Sequence, residues 1–155
     1  MPILIEIVPA LSDRCGPVHA GSFIRERRIA LDSGLLGEPR ELARILVHEL
    51  FHFAWVRLGN ARRRSFEELL AREIGRQARG ELGWSAEWRK GGLRPGDAAR
   101  RTPRWREYVC ESFCDTAAWL FANIDSHPEF TLAARHRRAR REWFEAAGLD
   151  RVVRV

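Results

Sequence analysis

His48 and His52 lie four residues apart in the sequence His-Glu-Leu-Phe-His, inside a segment that is apolar on both sides. Residues i and i+4 of an α-helix project from the same face. Two imidazoles at this spacing can therefore hold one metal ion, with metal–nitrogen bonds of about 2.0–2.1 Å. Glu49 follows the first histidine and can reach a water molecule on such an ion without binding the ion itself. This motif constrains the fold because its chemistry requires a helix at this point of the chain.

The residues around the motif predict that helix at positions 39–58. Pro39 suits the first helical position, and Gly59 followed by Asn60 favours the end of the helix. Residues 45–55 carry no charge except Glu49. Two histidines and a carboxylate in apolar surroundings need compensation, because burying an unpaired charge is costly. A divalent cation would provide it, and the alternative is a pair of hydrogen-bonded core histidines beside a salt-bridged glutamate.

A catalytic zinc ion usually has three protein ligands and one open position, so a third ligand must come from elsewhere. Glu111 and Asp115 are the only charged residues at positions 109–124, and their spacing places them on one helix face. Like charges at this spacing repel unless a cation and an imidazole lie opposite. We expect Glu111 to bind the ion and Asp115 to accept a hydrogen bond from a ligand histidine. The alternative is a solvent-exposed polar stripe, and the reserve ligands are Glu73 and then Glu68.

The N-terminal part of the chain predicts strands. An apolar run at residues 3–8, bounded by prolines, predicts a strand that is buried on both faces. Residues 10–21 predict a loop. Residues 22–31 predict one charged strand that suits a sheet edge, where charge blocks unwanted pairing. A turn follows at residues 32–34.

The C-terminal part predicts helices, at residues 66–79, 105–124 and 128–147. Residues 83–104 contain four glycines and two prolines and predict irregular structure. Strands followed by helices indicate an α+β fold, with a small mixed β-sheet, then the helix that carries the motif, and then a helical C-terminal half. A chain of 155 residues suits one compact domain, which we assign to residues 1–155.

Charge and hydropathy restrict the partners. The chain has 27 basic and 21 acidic residues, and all the basic residues except Lys90 are arginines. Arginine binds phosphate through a bidentate fork, so nucleic acid is a candidate partner. The charge is spread along the chain and not gathered in one stripe, however, which favours the base composition of the genome as the explanation. No apolar window of 18 residues and no signal peptide is present, which predicts a cytoplasmic protein without a membrane partner.

Three cysteines, an odd number, argue against a disulfide framework. Cys110 and Cys114 lie four residues apart and are expected on one side of a helix. Free buried cysteines commonly act as small hydrophobes. We expect this role for the pair, and the alternative is a metal or redox role.

The chain resembles the gluzincin class of zinc metallopeptidases, in which H-E-x-x-H is followed downstream by a helix that bears E-x-x-x-D. The matching residues are His48, Glu49, His52, Glu111 and Asp115. The resemblance implies that His48, His52 and Glu111 bind zinc, that Glu49 is the catalytic base and that Asp115 supports a histidine. It also implies a zincin-like fold, in which the edge strand at residues 22–31 holds extended substrate. The small core is similar to that of the phage-repressor-cleaving peptidases of the ImmA/IrrE type.

Gluzincins usually place a tyrosine or a histidine against the oxyanion that develops on the substrate. Tyr108, one turn before Glu111, and His136 are the candidates here, and an arginine could also serve. The predicted function is a zinc-dependent metallopeptidase that acts on a peptide or protein substrate. The alternatives are a zinc-binding protein of little activity that binds nucleic acid through its arginines, and a peptidase that acts on DNA-bound proteins. The sequence predicts no oligomeric state.

Overall fold

The computed structural model describes residues 2–13 and 16–149 of the chain. The strands are β1 (Leu4–Val8), β2 (Ser12–Asp13), β3 (Gly16–Pro17), β4 (Ala20–Phe23) and β5 (Arg28–Asp32), and a 3-10 helix follows at Ser33–Gly37. The α-helices are α1 (Pro39–Arg57), α2 (Asn60–Gly75), α3 (Trp84–Gly91), α4 (Asp97–Arg100), α5 (Pro103–Phe121) and α6 (Ala134–Ala146). A small mixed sheet followed by helices confirms the predicted α+β class.

The main sheet has three strands in the order β1-β5-β4, with β1 parallel and β4 antiparallel to β5. The prediction of one strand at residues 22–31 is wrong. Phe23 ends β4, the chain turns through Arg27 at a positive φ of 50°, and β5 begins at Arg28. Arg25, Glu26 and Arg27 lie in the turn, whereas Ile29, Ala30 and Leu31 of β5 are buried in the centre of the sheet. Of these two strands, β4 lies at an edge of the sheet and β5 lies at its centre.

Strand β1 lies at the opposite edge of the sheet. Its existence was predicted, but its burial was not: Leu4, Ile5 and Ile7 are 45–55% exposed. An apolar run does not distinguish a central strand from an edge strand that is left partly uncovered. Within the predicted loop at residues 10–21, β2 and β3 form a short antiparallel pair; Arg14 and Cys15 lie outside the described residues.

Helices α1 and α5 pack against each other and form the centre of the molecule. Both begin close to their predicted positions, because Pro39 and Pro103 each occupy the first turn. In α5 the side chain of Thr102 caps the helix by accepting a hydrogen bond from the backbone N–H of Trp105. The core that these helices share with α2 and α6 is rich in aromatic rings, and its members include Phe51, Phe66, Phe113 and Phe144.

The remaining helices differ from prediction. Helix α2 begins and ends earlier than residues 66–79, and α6 covers only the second part of residues 128–147. Residues 83–104 are not irregular, since they contain α3 and α4. The N–H groups of Trp84 and Ala86 at the start of α3 bond to carboxylates of Glu129 and Asp115, so distant side chains stabilise this short helix. No helix of the described residues is long and apolar enough to cross a membrane.

Candidate metal centre

The face of α1 that carries the two histidines lies against Glu111 on α5. His48 Nε2 is 3.2 Å from both His52 Nε2 and Glu111 Oε2, and His52 Nε2 is 3.9 Å from the same carboxylate oxygen. Ligand atoms around a tetrahedral ion with bonds of about 2.0–2.1 Å are about 3.3–3.4 Å apart. The three atoms therefore have separations that fit one metal ion.

Asp115 orients His48 from the other side of the imidazole. His48 Nδ1 is 2.7 Å from Asp115 Oδ1, and the second carboxylate oxygen accepts a hydrogen bond of 3.0 Å from the backbone N–H of Ala86. A histidine that donates its Nδ1 hydrogen to a carboxylate presents a free Nε2 to a metal. Asp115 is 2% exposed, so the start of α3 and the imidazole together satisfy a buried carboxylate.

Carboxylates flank both nitrogens of His48. Burial lowers the pKa of this imidazole, but Asp115 and Glu111 outweigh burial and raise the pKa well above its ordinary value. Burial raises the pKa of Glu111, whereas the hydrogen bond to His48 and the charges of His52 and Arg89 lower it to about 2. Surroundings that draw a proton onto a buried imidazole and keep a carboxylate ionised also favour a cation at the same atoms.

Gly83 permits the close approach of α3 to Asp115. A Cβ atom at Gly83 would overlap all three atoms of the Asp115 carboxylate group. The carboxylate has no free direction in which to move, because His48 and the N–H of Ala86 both hold it. The requirement for glycine is therefore one of space and not of backbone conformation.

We expect Gly83→Ala to displace Asp115, to weaken metal binding and to destabilise the fold by about 1–3 kcal/mol, the usual cost of overpacking. Urea unfolding and competition with a chelator for zinc measure the two effects. The control is Gly37→Ala, since a Cβ at Gly37 has no atom within 4 Å. Equal unfolding free energies and equal zinc affinities in the two variants would contradict this role of Gly83.

Glu49 lies on α1 beside the histidines, is 8% exposed and contacts the edge strand β4. The hydroxyl of Ser22 is 2.5 Å from Glu49 Oε2 and 2.9 Å from the Glu49 carbonyl oxygen. In the described part of the chain, Glu49 Oε1 has no such partner. Ser22 could not be identified from the sequence, because the contact depends on how β4 packs against α1.

Cysteines lie next to the histidines. Cys114 is fully buried, as predicted, but its Sγ forms a group with His48 and His52 whose ligand atoms all lie within 4.8 Å of one another. This group could hold a metal ion. Burial raises the pKa of Cys114 well above its ordinary value. Cys110 Sγ is 3.5 Å from His52 Nδ1, and a hydrogen bond from Cys114 lowers the pKa of Cys110 to about 6 even though burial opposes the change.

Tyr108 and His136, the two oxyanion candidates, belong to a different buried network. The Tyr108 hydroxyl donates a hydrogen bond of 2.6 Å to Glu81, and the residue is completely buried. His136 Nδ1 is 4.0 Å from Glu73, and His136 Nε2 accepts from Arg135. Each of these side chains therefore has its contacts inside this network, and neither contacts His48 or His52 among the described residues.

The reserve ligands are also placed elsewhere. Glu73 is 2% exposed and receives hydrogen bonds from Arg140, the shortest at 2.7 Å. Glu68 is exposed on the surface of α2. Glu73 therefore belongs to a buried ion pair with α6, which the sequence alone did not reveal.

Arg89 on α3 contacts the cluster, and the sequence analysis did not single it out. Its Nη2 is 3.5 Å from Glu111 Oε1, the oxygen that faces away from the histidines. Its Nη1 donates to the Ser85 carbonyl, whereas its buried Nε has no partner among the described residues. No sequence signal pointed to Arg89, because α3 was predicted as irregular.

The cluster is partly open to solvent. The side chains of His48, His52 and Glu111 are 11%, 17% and 14% exposed. Two cavities on the surface have volumes of about 290 and 560 Å³, and none of these three residues lines either of them. The larger cavity is lined in part by Trp88 and Arg89 of α3.

Comparison of the chain with protein-family models, with curated proteins and with solved structures finds no match in any of the three.

Proposed function

We propose that the chain is a zinc-dependent metallopeptidase with a zincin-like arrangement of strand, motif helix and ligand helix. The observation that carries this proposal is the convergence of His48 Nε2, His52 Nε2 and Glu111 Oε2 at separations of 3.2–3.9 Å. Two imidazoles and a carboxylate are a donor set that suits zinc. Three protein ligands leave a fourth position for water or substrate, and Glu49 stands next to a ligand on the same helix.

A zinc ion held by His48, His52 and Glu111 would supply a Lewis acid for the substrate carbonyl and would lower the pKa of a bound water towards about 7. Glu49 is the general base: it takes a proton from the attacking water and delivers it to the nitrogen of the leaving amine. The water oxygen bonds to the carbonyl carbon, and the carbon–nitrogen bond breaks. Ser22 holds one oxygen of Glu49, and Oε1 remains for the proton transfer.

The substrate backbone is proposed to add to the free edge of β4. Among the described residues this strand pairs only with β5, and an extended peptide can complete such an edge through main-chain hydrogen bonds. Ser22 of β4 contacts Glu49 directly, so a peptide along this edge passes the proposed base. Arg89 replaces Tyr108 and His136 as the proposed donor to the developing oxyanion, because it is a cation on the rim of the cluster.

The third ligand is Glu111 in this proposal, and Cys114 is the competing donor. Glu111 is ionised and partly exposed, whereas burial disfavours the thiolate of Cys114 that a metal requires. A Cys114 ligand would favour the alternative function, a metal-binding protein with little hydrolytic activity. The two donor sets share both histidines, so variants of the third residue distinguish them.

We expect Glu111→Ala to weaken zinc binding by more than about 100-fold, since even residues that only orient ligands contribute 10–100-fold. Cys114→Ser, the matched control, should keep the zinc affinity within about threefold and retain cleavage of an unfolded, alkylated protein. Chelator competition measures the affinity, and gel electrophoresis of the substrate measures cleavage. The reverse pattern, with zinc lost in Cys114→Ser and kept in Glu111→Ala, would contradict the assignment.

A further inference from the structure

A second feature of the surface is a cavity of about 290 Å³ beside the start of α2. Arg63 and Arg64 of α2 line it together with Arg101 and Arg106, which flank the start of α5. The acidic residue in this lining is Glu67. Arginines from two separate parts of the sequence therefore meet around one concave surface.

Glu67 compensates only one of these arginines. Its two carboxylate oxygens accept hydrogen bonds of 2.7 and 2.8 Å from Arg101 in a bidentate pair. Over residues 2–13 and 16–149, no ion pair joins Arg63, Arg64 or Arg106 to a carboxylate. Three positive charges thus surround the cavity without an acidic partner.

The hydrogen-bonding capacity of Arg63 is largely unused. Its Nη2 donates to Asn60 Oδ1 at 3.0 Å, and its buried Nε has no partner within the described ranges. A buried donor without a partner is unfavourable. A guanidinium in this condition gains hydrogen bonds if an anion enters the cavity.

The N-terminus of α2 adds positive electrostatic potential to that of the arginines around the cavity. Gly59 precedes the helix and provides no side-chain cap, and the first turn contains no acidic residue. The N-terminus of a helix carries a partial positive charge. Basic residues near this end therefore destabilise the helix, and a bound anion stabilises it. Backbone N–H groups at such a terminus can also bind phosphate oxygens.

We propose that this cavity is a binding site for a phosphate group, held by Arg63, Arg64, Arg106 and the first turn of α2. Guanidinium forks match phosphate oxygens in a bidentate way, and three uncompensated cations suit a group with two or more negative charges. The cavity has room for a diphosphate. The same chemistry is offered by a small phosphate ester and by the backbone of a nucleic acid.

Calorimetric titration with inorganic pyrophosphate tests this site. We expect Arg64→Gln/Arg106→Gln to weaken pyrophosphate binding by about 10- to 100-fold, as expected for the loss of charged hydrogen bonds. The matched control is Arg25→Gln/Arg138→Gln, which removes the same charge from exposed positions on the turn after β4 and on α6. Its affinity should stay within about twofold of that of the parent protein.

A parallel titration with a short single-stranded oligonucleotide identifies the source of the phosphate. Tighter binding of the oligonucleotide, lost in Arg64→Gln/Arg106→Gln, supports the site and assigns it to nucleic acid; preference for pyrophosphate supports it and assigns it to a small ligand. Equal weakening in both double variants, or no binding of either probe by the parent protein, would overturn the proposal. Zinc content should be the same in all three proteins, because none of the substituted residues contacts the metal cluster.

Discussion

Glu49→Gln is expected to lower the rate of peptide hydrolysis by about 100- to 10,000-fold, the usual contribution of a general base. Glutamine has the same shape as glutamate and can still accept the hydrogen bond from Ser22, but it cannot take a proton from water. The ligand atoms of His48, His52 and Glu111 are unchanged, so zinc content should remain at the parental level.

A control for this substitution is Glu38→Gln, the same chemical change at an exposed position just before α1. Initial rates of cleavage of an unfolded, alkylated protein should be unchanged in this variant. Metal analysis of both variants separates a loss of chemistry from a loss of zinc. If Glu49→Gln kept more than half of the parental rate, Glu49 would not be the base.

Arg140→Met is expected to destabilise the fold by about 3–5 kcal/mol, the cost of removing one partner from a buried ion pair. Arg140 is fully buried and donates hydrogen bonds of 2.7 Å to Glu73 and 2.8 Å to Glu81. Burial raises the pKa of Glu81, but Arg140 and Lys90 lower it to about 2, so this carboxylate is ionised in the fold. Without Arg140, two buried carboxylates lose their principal counter-charge.

Urea unfolding measures this loss. Arg138→Met on the same helix is the control, because its side chain is 79% exposed and its loss should change the unfolding free energy by less than about 0.5 kcal/mol. Adding Glu73→Gln and Glu81→Gln to Arg140→Met should restore part of the stability, since the uncompensated charges are then removed. Equal unfolding free energies for Arg140→Met and Arg138→Met would refute the role of this network.

The sequence predicted the elements whose signals are local. Apolar spacing and Pro39 identified α1, and the isolated acids Glu111 and Asp115 identified the face of α5 that meets the histidines. Both acids were recognisable because they interrupt an apolar helix, where an unpaired charge is unfavourable. The structure brings His48 within hydrogen-bonding distance of both.

Features that depend on distant partners were not predictable. Helix α3 lies in a glycine-rich segment, and its start is bonded to Asp115, 29 residues away from Ala86 in the chain. Tyr108 was predicted as a donor to the oxyanion because its actual partner, Glu81, lies 27 residues earlier in the chain. Ser22 could not be predicted for the same reason, since its hydrogen bond to Glu49 depends on how α1 packs against the strand.

The most direct test of the account is one titration: the rate of cleavage of an unfolded, alkylated protein as zinc is added to metal-free protein. We expect no cleavage without metal, and a rate that rises in proportion to added zinc and reaches a plateau at one ion per chain. A protein that binds one zinc ion and still cleaves nothing, or one that cleaves equally well without metal, would contradict the proposal that His48, His52 and Glu111 form a catalytic zinc site.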